Sequence, residues 1–328
     1  MAALPTAGRD DVLVTVSHPS LLADPPGIAA LLGDVLVALP KPEDLIFPAL
    51  LVLVAVVVFV TARALAPGRR MTFLREVEIV LAAYFTYFAV RGATEGAAST
   101  AVANAHRIED FEKAFGIFIE PDLQDTIVDH SLLVDAANLV YIWGHWPVIS
   151  VVALWLFTRR QPTYLLFRNA FLISGAIGLV WFWLFPVAPP RLAELGLVDT
   201  VVERSNFYRV LQPPQLTNQF AAFPSLHFGW NLLMGLALYW YTTNRAVRAF
   251  GLLLPAAMFV AIVLTANHYI IDGVAGGAIA LFGLWAAVWL QRRRDRRSDA
   301  AEARAGTVAT GPPLASASSA RGERPRRA

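Results

Sequence analysis

Residues 221–243 read AAFPSLHFGWNLLMGLALYWYTT and join a polar start to a long apolar run. A run of about 20 such residues is long enough to cross the hydrocarbon core of a bilayer. Ser225 and His227 stand at its beginning, where polar side chains are costly in a membrane helix. The stretch therefore predicts a membrane helix whose first turn contains candidate functional residues.

The composition of the whole chain favours an integral membrane protein. Of 328 residues, 56% are hydrophobic and 16% are charged, and the mean hydropathy is positive. A soluble protein of this length exposes too much surface for that balance. The chain has no cysteine, which excludes disulfides, thiolate catalysis and cysteine metal ligands.

Apolar stretches of membrane-spanning length recur along the chain. Their spacing predicts an all-α, polytopic helical bundle of about seven transmembrane helices. The predicted spans are 46–66, 74–95, 134–157, 166–187, 225–243, 247–266 and 268–290.

The arginine distribution orients this bundle. Arginines cluster in 63–75, 159–168, 245–248 and 292–297, which fall on one side of a seven-span protein. The positive-inside rule makes that side cytoplasmic, so the N-terminus is predicted outside and the C-terminus inside. Three regions follow: an extracytoplasmic segment over 1–45, a transmembrane domain over 46–290, and a disordered basic cytoplasmic tail over 291–328.

The stretch HYIID places His268 and Asp272 four residues apart, on one face of a helix. The aspartate can accept the proton of one imidazole nitrogen and leave the other nitrogen with its lone pair free. Such a pair suits nucleophilic attack or general-base catalysis. The alternative is a polar pair that is satisfied inside the bundle.

The stretch FPSLH brings a second histidine to a helix start. Backbone N–H groups around Ser225 and His227 would be available to an anion, and His227 could donate a proton to a leaving group. The alternative is a helix cap with an interfacial histidine. His227 and His268 lie 41 residues apart, one span inward and one span back, so both return to the same membrane face.

Further polar residues are predicted at that outer face. Arg191 suits phosphate binding, or it is an interfacial arginine whose head reaches water. Arg91 is either a phosphate clamp or half of an ion pair with Glu95. His145, near Tyr141 in the third span, either lines the pocket or makes a helix-packing hydrogen bond. The stretch 107–120, RIEDFEKAFGIFIE, predicts an amphipathic helix on the outer leaflet.

Three stretches together carry a resemblance: PVAPPR at 186–191, AAFPSLHFGW at 221–230 and ANHYIIDGVAGG at 266–277. They resemble the type-2 phosphatidic acid phosphatase superfamily, and in particular its branch with the inositol phosphorylceramide synthases. The resemblance covers 80–290 and implies a six-helix catalytic core.

The resemblance also implies a mechanism, which is a metal-independent attack on a phosphate ester through a phosphohistidine. It makes His268 the nucleophile, Asp272 its orienting partner and His227 the general acid. Arg191 would belong to the phosphate clamp and Ser225 to the pocket.

The chain departs from the broad superfamily at two positions. The lysine of the first motif is missing upstream of Pro189-Pro190-Arg191, and Ile262 stands where an arginine is expected before the last histidine. The phosphate clamp must therefore be built differently, with Arg91 as the candidate for the missing charge. The transferase-like branch differs in the same way.

The expected function is that of a lipid-phosphate phosphatase or phosphotransferase in the plasma membrane, with its active site on the extracytoplasmic side. Its expected partners are a lipid phosphate, a polyol or sugar acceptor such as inositol, and membrane lipids. No metal, cofactor or nucleic acid is expected. The alternatives are a transporter that binds an anion or lipid phosphate without turnover, and a lipid-binding scaffold.

Overall fold

The computed structural model describes residues 59–92, 98–204 and 219–309. Within these ranges the regular structure is helical, apart from an isolated parallel β-bridge between Val187 and Ala221. The prediction of an all-α fold is confirmed for this part of the chain. The helices are α1 (Pro67–Gly92), α2 (Ala98–Ala114), α3 (Glu120–Asp125), α4 (Ser131–Trp143), α5 (Trp146–Arg159), α6 (Gln161–Leu184), α7 (Thr200–Arg204), α8 (Leu226–Tyr241), α9 (Arg245–Leu264) and α10 (Ile270–Ala309), with a 3₁₀ turn at Pro190–Leu192 and a helical stretch at 59–64.

Three described helices are long and apolar enough to cross a membrane: α6, α9 and the Ile270–Glu302 part of α10. Helices α4 and α5 satisfy the same test together, as one span with a bend, which raises the number to four. Helix α8 has 16 residues and falls short of the length required. Most of the predicted span 46–66 lies outside the described residues, so the seven-span count stays a prediction.

The predicted third span is not one straight helix. Helices α4 and α5 meet at 42° across Gly144 and His145. Pro147, in the first turn of α5, has no N–H to donate and disfavours helical geometry before it, which breaks the ladder here. His145 consequently lies at the break, with φ −99° and ψ −94°, rather than inside a continuous helix.

Helix α10 continues beyond the boundary predicted for the tail. The sequence placed disorder from 291, but the helix extends to Ala309. Alanine, arginine and glutamate favour helix, and charges of opposite sign are interspersed along this segment. Residues 1–58, including the predicted N-terminal segment, and residues 310–328 lie outside the described part of the chain.

The predicted surface helix over 107–120 begins and ends earlier than expected. Helix α2 ends at Ala114, and Gly116 takes a positive φ of 66° that turns the chain out of the helix. Ile108 is buried, whereas Phe111 and Phe115 are exposed and contact each other. The inner face of α2 also contains two buried polar side chains, those of Asn104 and Glu112.

Helix α8 lies at the centre of the bundle and packs against α5, α6, α9 and α10. Its buried side chains, among them Leu233 and Met234, belong to the same core cluster as Phe167 and Leu254. In a bilayer such contacts stabilise by close packing, because lipid is as apolar as the protein core. The first turn of α8 is therefore held rigidly against its neighbours.

Glycines allow α8 and α10 to approach backbone to backbone. A Cβ atom on Gly276 would overlap the carbonyl oxygen of Ser225, and one on Gly229 would overlap the carbonyl oxygen of Gly276. Only glycine permits this approach, as in other close membrane helix pairs. The contact brings the start of α8 to the turn of α10 that follows Asp272.

We expect Gly276→Ala to destabilise the protein, because the new methyl group must push α8 away from α10. Overpacking of this kind costs about 1–3 kcal/mol. Thermal unfolding in detergent measures the effect. Gly68→Ala is the matched control, since a Cβ atom there meets nothing within 4 Å. Equal melting temperatures for the two variants would contradict the close contact.

Candidate active site

His268 lies in the connection between α9 and α10, outside both helices. The backbone N–H groups of Asn267 and His268 donate to the carbonyl oxygen of Ile262, at 3.2 and 3.1 Å, so the connection folds back onto the end of α9. The Ile262 side chain is fully buried in an apolar cluster with Tyr141 and Met258. The position that resembles an arginine site in the broad superfamily is thus a packing position here.

The tautomer of His268 is determined by a backbone group. Its Nδ1 lies 2.7 Å from the carbonyl oxygen of Ala222, which can only accept a hydrogen bond. Nδ1 therefore carries the proton and Nε2 carries the lone pair that a nucleophile needs. Burial and, to a smaller extent, the nearby charge of Arg191 lower the pKa of His268 to about 4, so the ring is neutral at physiological pH.

Asp272 supports this arrangement from the first turn of α10. Its Oδ2 lies 3.4 Å from Nδ1 of His268, farther than the Ala222 carbonyl, and accepts a hydrogen bond of 2.9 Å from the backbone N–H of Tyr269. The carboxylate thus caps the helix start in the manner of a capping box, while it faces the imidazole. The predicted pairing of Asp272 with His268 is present, but the carbonyl is the closer acceptor.

Ser225 ties the two helix starts together. Its backbone N–H donates to the carbonyl oxygen of Asp272 at 2.9 Å, and its hydroxyl oxygen accepts from the N–H of Phe228 as the N-cap of α8. The side chain is fully buried. These contacts explain how Ser225 places His227, the second residue of α8.

The imidazole of His227 is stacked between two aromatic rings. Its ring centroid lies 4.1 Å from that of His145 and 4.5 Å from that of Tyr141. Two rings cannot both stack at such distances on one face, so they cover opposite faces of His227. The His227 and His268 centroids are 5.9 Å apart, with the planes tilted by 54°. The two predicted catalytic histidines therefore come together.

His145 is oriented by Asn231. The Asn231 side-chain amide donates to the His227 carbonyl oxygen at 2.8 Å and lies 3.0 Å from Nδ1 of His145. Because that amide nitrogen can only donate, Nδ1 of His145 accepts and its Nε2 carries the proton. His145 is a buried donor in contact with the general-acid candidate, and both of the roles predicted for it remain compatible with this position.

Arg191 lies beside the His268 connection. Its Nε donates to Asn267 Oδ1 at 3.0 Å, and its Nη1 makes an ion pair of 3.2 Å with Asp199. Its backbone N–H donates to the carbonyl oxygen of Ala266. The guanidinium is thus held close to His268, as a phosphate-binding group must be.

The remaining predictions have different outcomes. Arg91 is part of α1, but its side chain lies outside the described residues, as does Glu95. Among the described residues no group of three or more histidine, aspartate and glutamate side chains is arranged to hold a metal ion. The assignment of a phosphate role to Arg91 stays a prediction.

Sequence reasoning did not single out several residues that build this site. Asn231 stands four positions after His227, a helical spacing that could have identified it. Asn267 directly precedes His268. Glu112 and Glu120 lie in a stretch rich in acidic residues that gives no sign of burial, although both are fully buried.

Comparison with known proteins gives three findings. The PAP2 superfamily matches residues 106–286, more than half of the chain. A phosphoinositol dihydroceramide synthase of Bacteroides thetaiotaomicron is 27% identical over 189 residues, which cover 51% of this chain and 60% of that protein. No solved structure matches the chain significantly.

The matched region contains the residues of this site from Tyr141 to Asp272, whereas Arg91 lies before it. The resemblance to the type-2 phosphatidic acid phosphatases is thereby confirmed, together with the similarity to a phosphoinositol-ceramide synthase. The paired histidines lie within the matched region, and the chain belongs to the PAP2 superfamily.

Proposed function

We propose that the protein is an integral membrane phosphotransferase or phosphatase that acts on a lipid phosphate ester through a phosphohistidine. The observation that carries this proposal is the pairing of two imidazoles 5.9 Å apart, one of them a neutral His268 whose Nε2 lone pair is set by the Ala222 carbonyl. Arg191 adds a positive charge beside them. A nucleophile, an acid and a charge clamp are the groups that phosphoryl transfer requires.

The proposed first step forms a bond between Nε2 of His268 and phosphorus and breaks the bond from phosphorus to the leaving oxygen. His227 gives its proton to that oxygen. In the second step water or an alcohol attacks phosphorus, its proton returns to His227, and the N–P bond breaks. Asp272 and the Ala222 carbonyl stabilise the charge that develops on His268. Arg191, Ser225, Tyr141, His145 and Arg91 are proposed to bind the substrate.

Transfer to an alcohol is the favoured outcome. The name of the Bacteroides relative describes the synthesis of a phosphoinositol dihydroceramide. Such a synthesis transfers a phosphoryl group to an alcohol and is not a hydrolysis. The same two steps serve this chain with a polyol such as inositol, or an inositol phospholipid, as reactant. The chain spans about 60% of that relative, so substrate and acceptor are proposals for this protein.

The proposed topology has seven spans, with the N-terminus outside, the C-terminus inside and the site at the outer face of the plasma membrane. The arginine-rich segments at 159–168, 245–248 and 292–297 support this orientation. The site lies at the end of the bundle opposite those segments, at the starts of α8 and α10.

Purified protein in detergent, with EDTA present, is expected to convert a lipid phosphate or an inositol phospholipid. Added myo-inositol or ceramide should yield a new phospho-alcohol, and little free phosphate. His268→Ala should abolish turnover, and His227→Ala should lower it about 10²–10⁴-fold, as removal of a general acid does. Near-full activity in either folded variant contradicts its role. If the wild-type protein binds these lipids without turnover, the result would favour the alternative of a transporter.

The pH dependence of kcat/KM should be bell-shaped. Only neutral His268 attacks, and its pKa of about 4 places the loss of activity on the acid side near pH 4 instead of near 6.5. The alkaline limb reports loss of the proton from His227. Initial rates across the pH range measure both limbs, and an acid limb near the ordinary histidine value would contradict the buried, neutral His268.

The absence of native cysteines allows the topology to be tested with single-cysteine variants. Ala103→Cys, on the exposed side of α2, should react with a membrane-impermeant maleimide in intact cells. Ser298→Cys, exposed on the arginine-rich part of α10, should react only after permeabilisation. The reverse pattern would place the active site in the cytoplasm.

A further inference from the structure

Two buried carboxyl groups hold the start of α10. Glu112 on α2 and Glu120, the first residue of α3, are both inaccessible to solvent. Glu120 Oε1 accepts the backbone N–H of Ile270 at 2.9 Å, and Glu112 Oε1 accepts that of Ile271 at 2.8 Å. Two elements distant in sequence thus satisfy the first N–H groups of the helix that follows His268.

The other oxygens of these carboxyls lie in an unusual situation. Oε2 of Glu112 and Oε2 of Glu120 are buried and accept no hydrogen bond from a donor in the described part of the chain. The two side chains nevertheless interact with each other. Two buried carboxyls that bind adjacent backbone N–H groups, away from water, require a proton on one of them, because two buried negative charges there would be severely destabilising.

The surroundings favour the same protonation. The charges that act on Glu112 come from Glu120 and Asp272, both acidic, and Tyr269 lies among the same carboxyls and near Glu109. Burial and, after it, the interaction with Glu120 raise the pKa of Glu112 to about 9. Glu112 lies on α2, outside the candidate membrane spans.

We propose that Glu112 and Glu120 share one proton and act as a pair of positioning residues for the nucleophile. The carboxyls of Glu120, Glu112 and Asp272 accept hydrogen bonds from the backbone N–H groups of Ile270, Ile271 and Tyr269, respectively. The first turn of α10 is therefore fixed by three carboxyls, and His268 lies two residues before the helix begins. The start of α10 is thus occupied by the protein's own groups.

The shared proton can be tested without any substrate. In Glu112→Gln the amide oxygen can accept from Ile271 and the amide nitrogen can donate to Glu120, so both hydrogen bonds persist without a titrating proton. Folded wild type keeps a proton that the unfolded chain releases above the ordinary glutamate value of 4.5. Its stability must therefore fall as the pH rises toward 9, by about tenfold in the unfolding equilibrium constant per pH unit.

Thermal unfolding in detergent across this range measures the difference between wild type and Glu112→Gln. The melting temperature of the variant should rise relative to wild type as the pH increases. Glu109→Gln, three residues earlier on the same helix, is the control, because Glu109 pairs with Lys113 and His106 at the surface. It should follow the wild-type profile. Parallel profiles for wild type and Glu112→Gln would overturn the shared proton.

The positioning role rests on the proposed function and is tested separately by activity. Glu112→Asp keeps a carboxyl but draws it back by one methylene, away from Ile271. We expect its kcat/KM to fall about tenfold or more, as a misplaced reacting group does, whereas Glu112→Gln stays within a few-fold of wild type. Equal activity of Glu112→Asp and wild type would overturn positioning. An inactive wild type with the expected stability profiles would overturn the proposed function and leave the shared proton standing.

Discussion

The backbone N–H groups at the start of α10 must be satisfied in a place that holds little water, and three carboxyls do this. Asp272, Glu120 and Glu112 bind the N–H groups of Tyr269, Ile270 and Ile271. An unsatisfied N–H group at this depth is expensive, so the constraint is strong. It brings α2 and α3 against the end of the bundle and determines where the residue before this turn, His268, can lie.

The same turn also organises α8. The carbonyl oxygen of Asp272 accepts from Ser225, and Gly276 lets the backbones meet one turn later. Both predicted catalytic histidines therefore lie within a few residues of the point where the starts of α8 and α10 contact each other through their backbones. The bent pair α4 and α5 contributes Tyr141 and His145, whose rings stack on His227 of α8. A helix without the Pro147 break would not place His145 in this way.

Much of this arrangement could be predicted from the residues. The apolar runs indicated helices at the right places, with α6, α8 and α9 starting and ending within a few residues of expectation. The spacing of His227 and His268 indicated that both return to one face, and they do meet. The predicted third span contains a bend that the apolar pattern did not indicate, because Pro147 interrupts the helix after His145. Helix α10 continues into the predicted tail, because alanine and interspersed charges of opposite sign support a helix.

The sequence by itself determined the helical class and the likeness to the PAP2 superfamily, and it singled out the two histidines, Asp272 and Arg191 as candidates. The class follows from composition, and the candidates follow from short motifs whose spacing a single helix preserves. Only the tertiary structure decided that the Ala222 carbonyl sets the tautomer of His268, that Asn231 orients His145, and that Glu112 and Glu120 are buried together. Each of these contacts joins residues far apart in the chain. A glutamate in an acidic stretch looks solvated until the packing of α2 and α3 against α10 removes its water, and sequence spacing carries no record of that step.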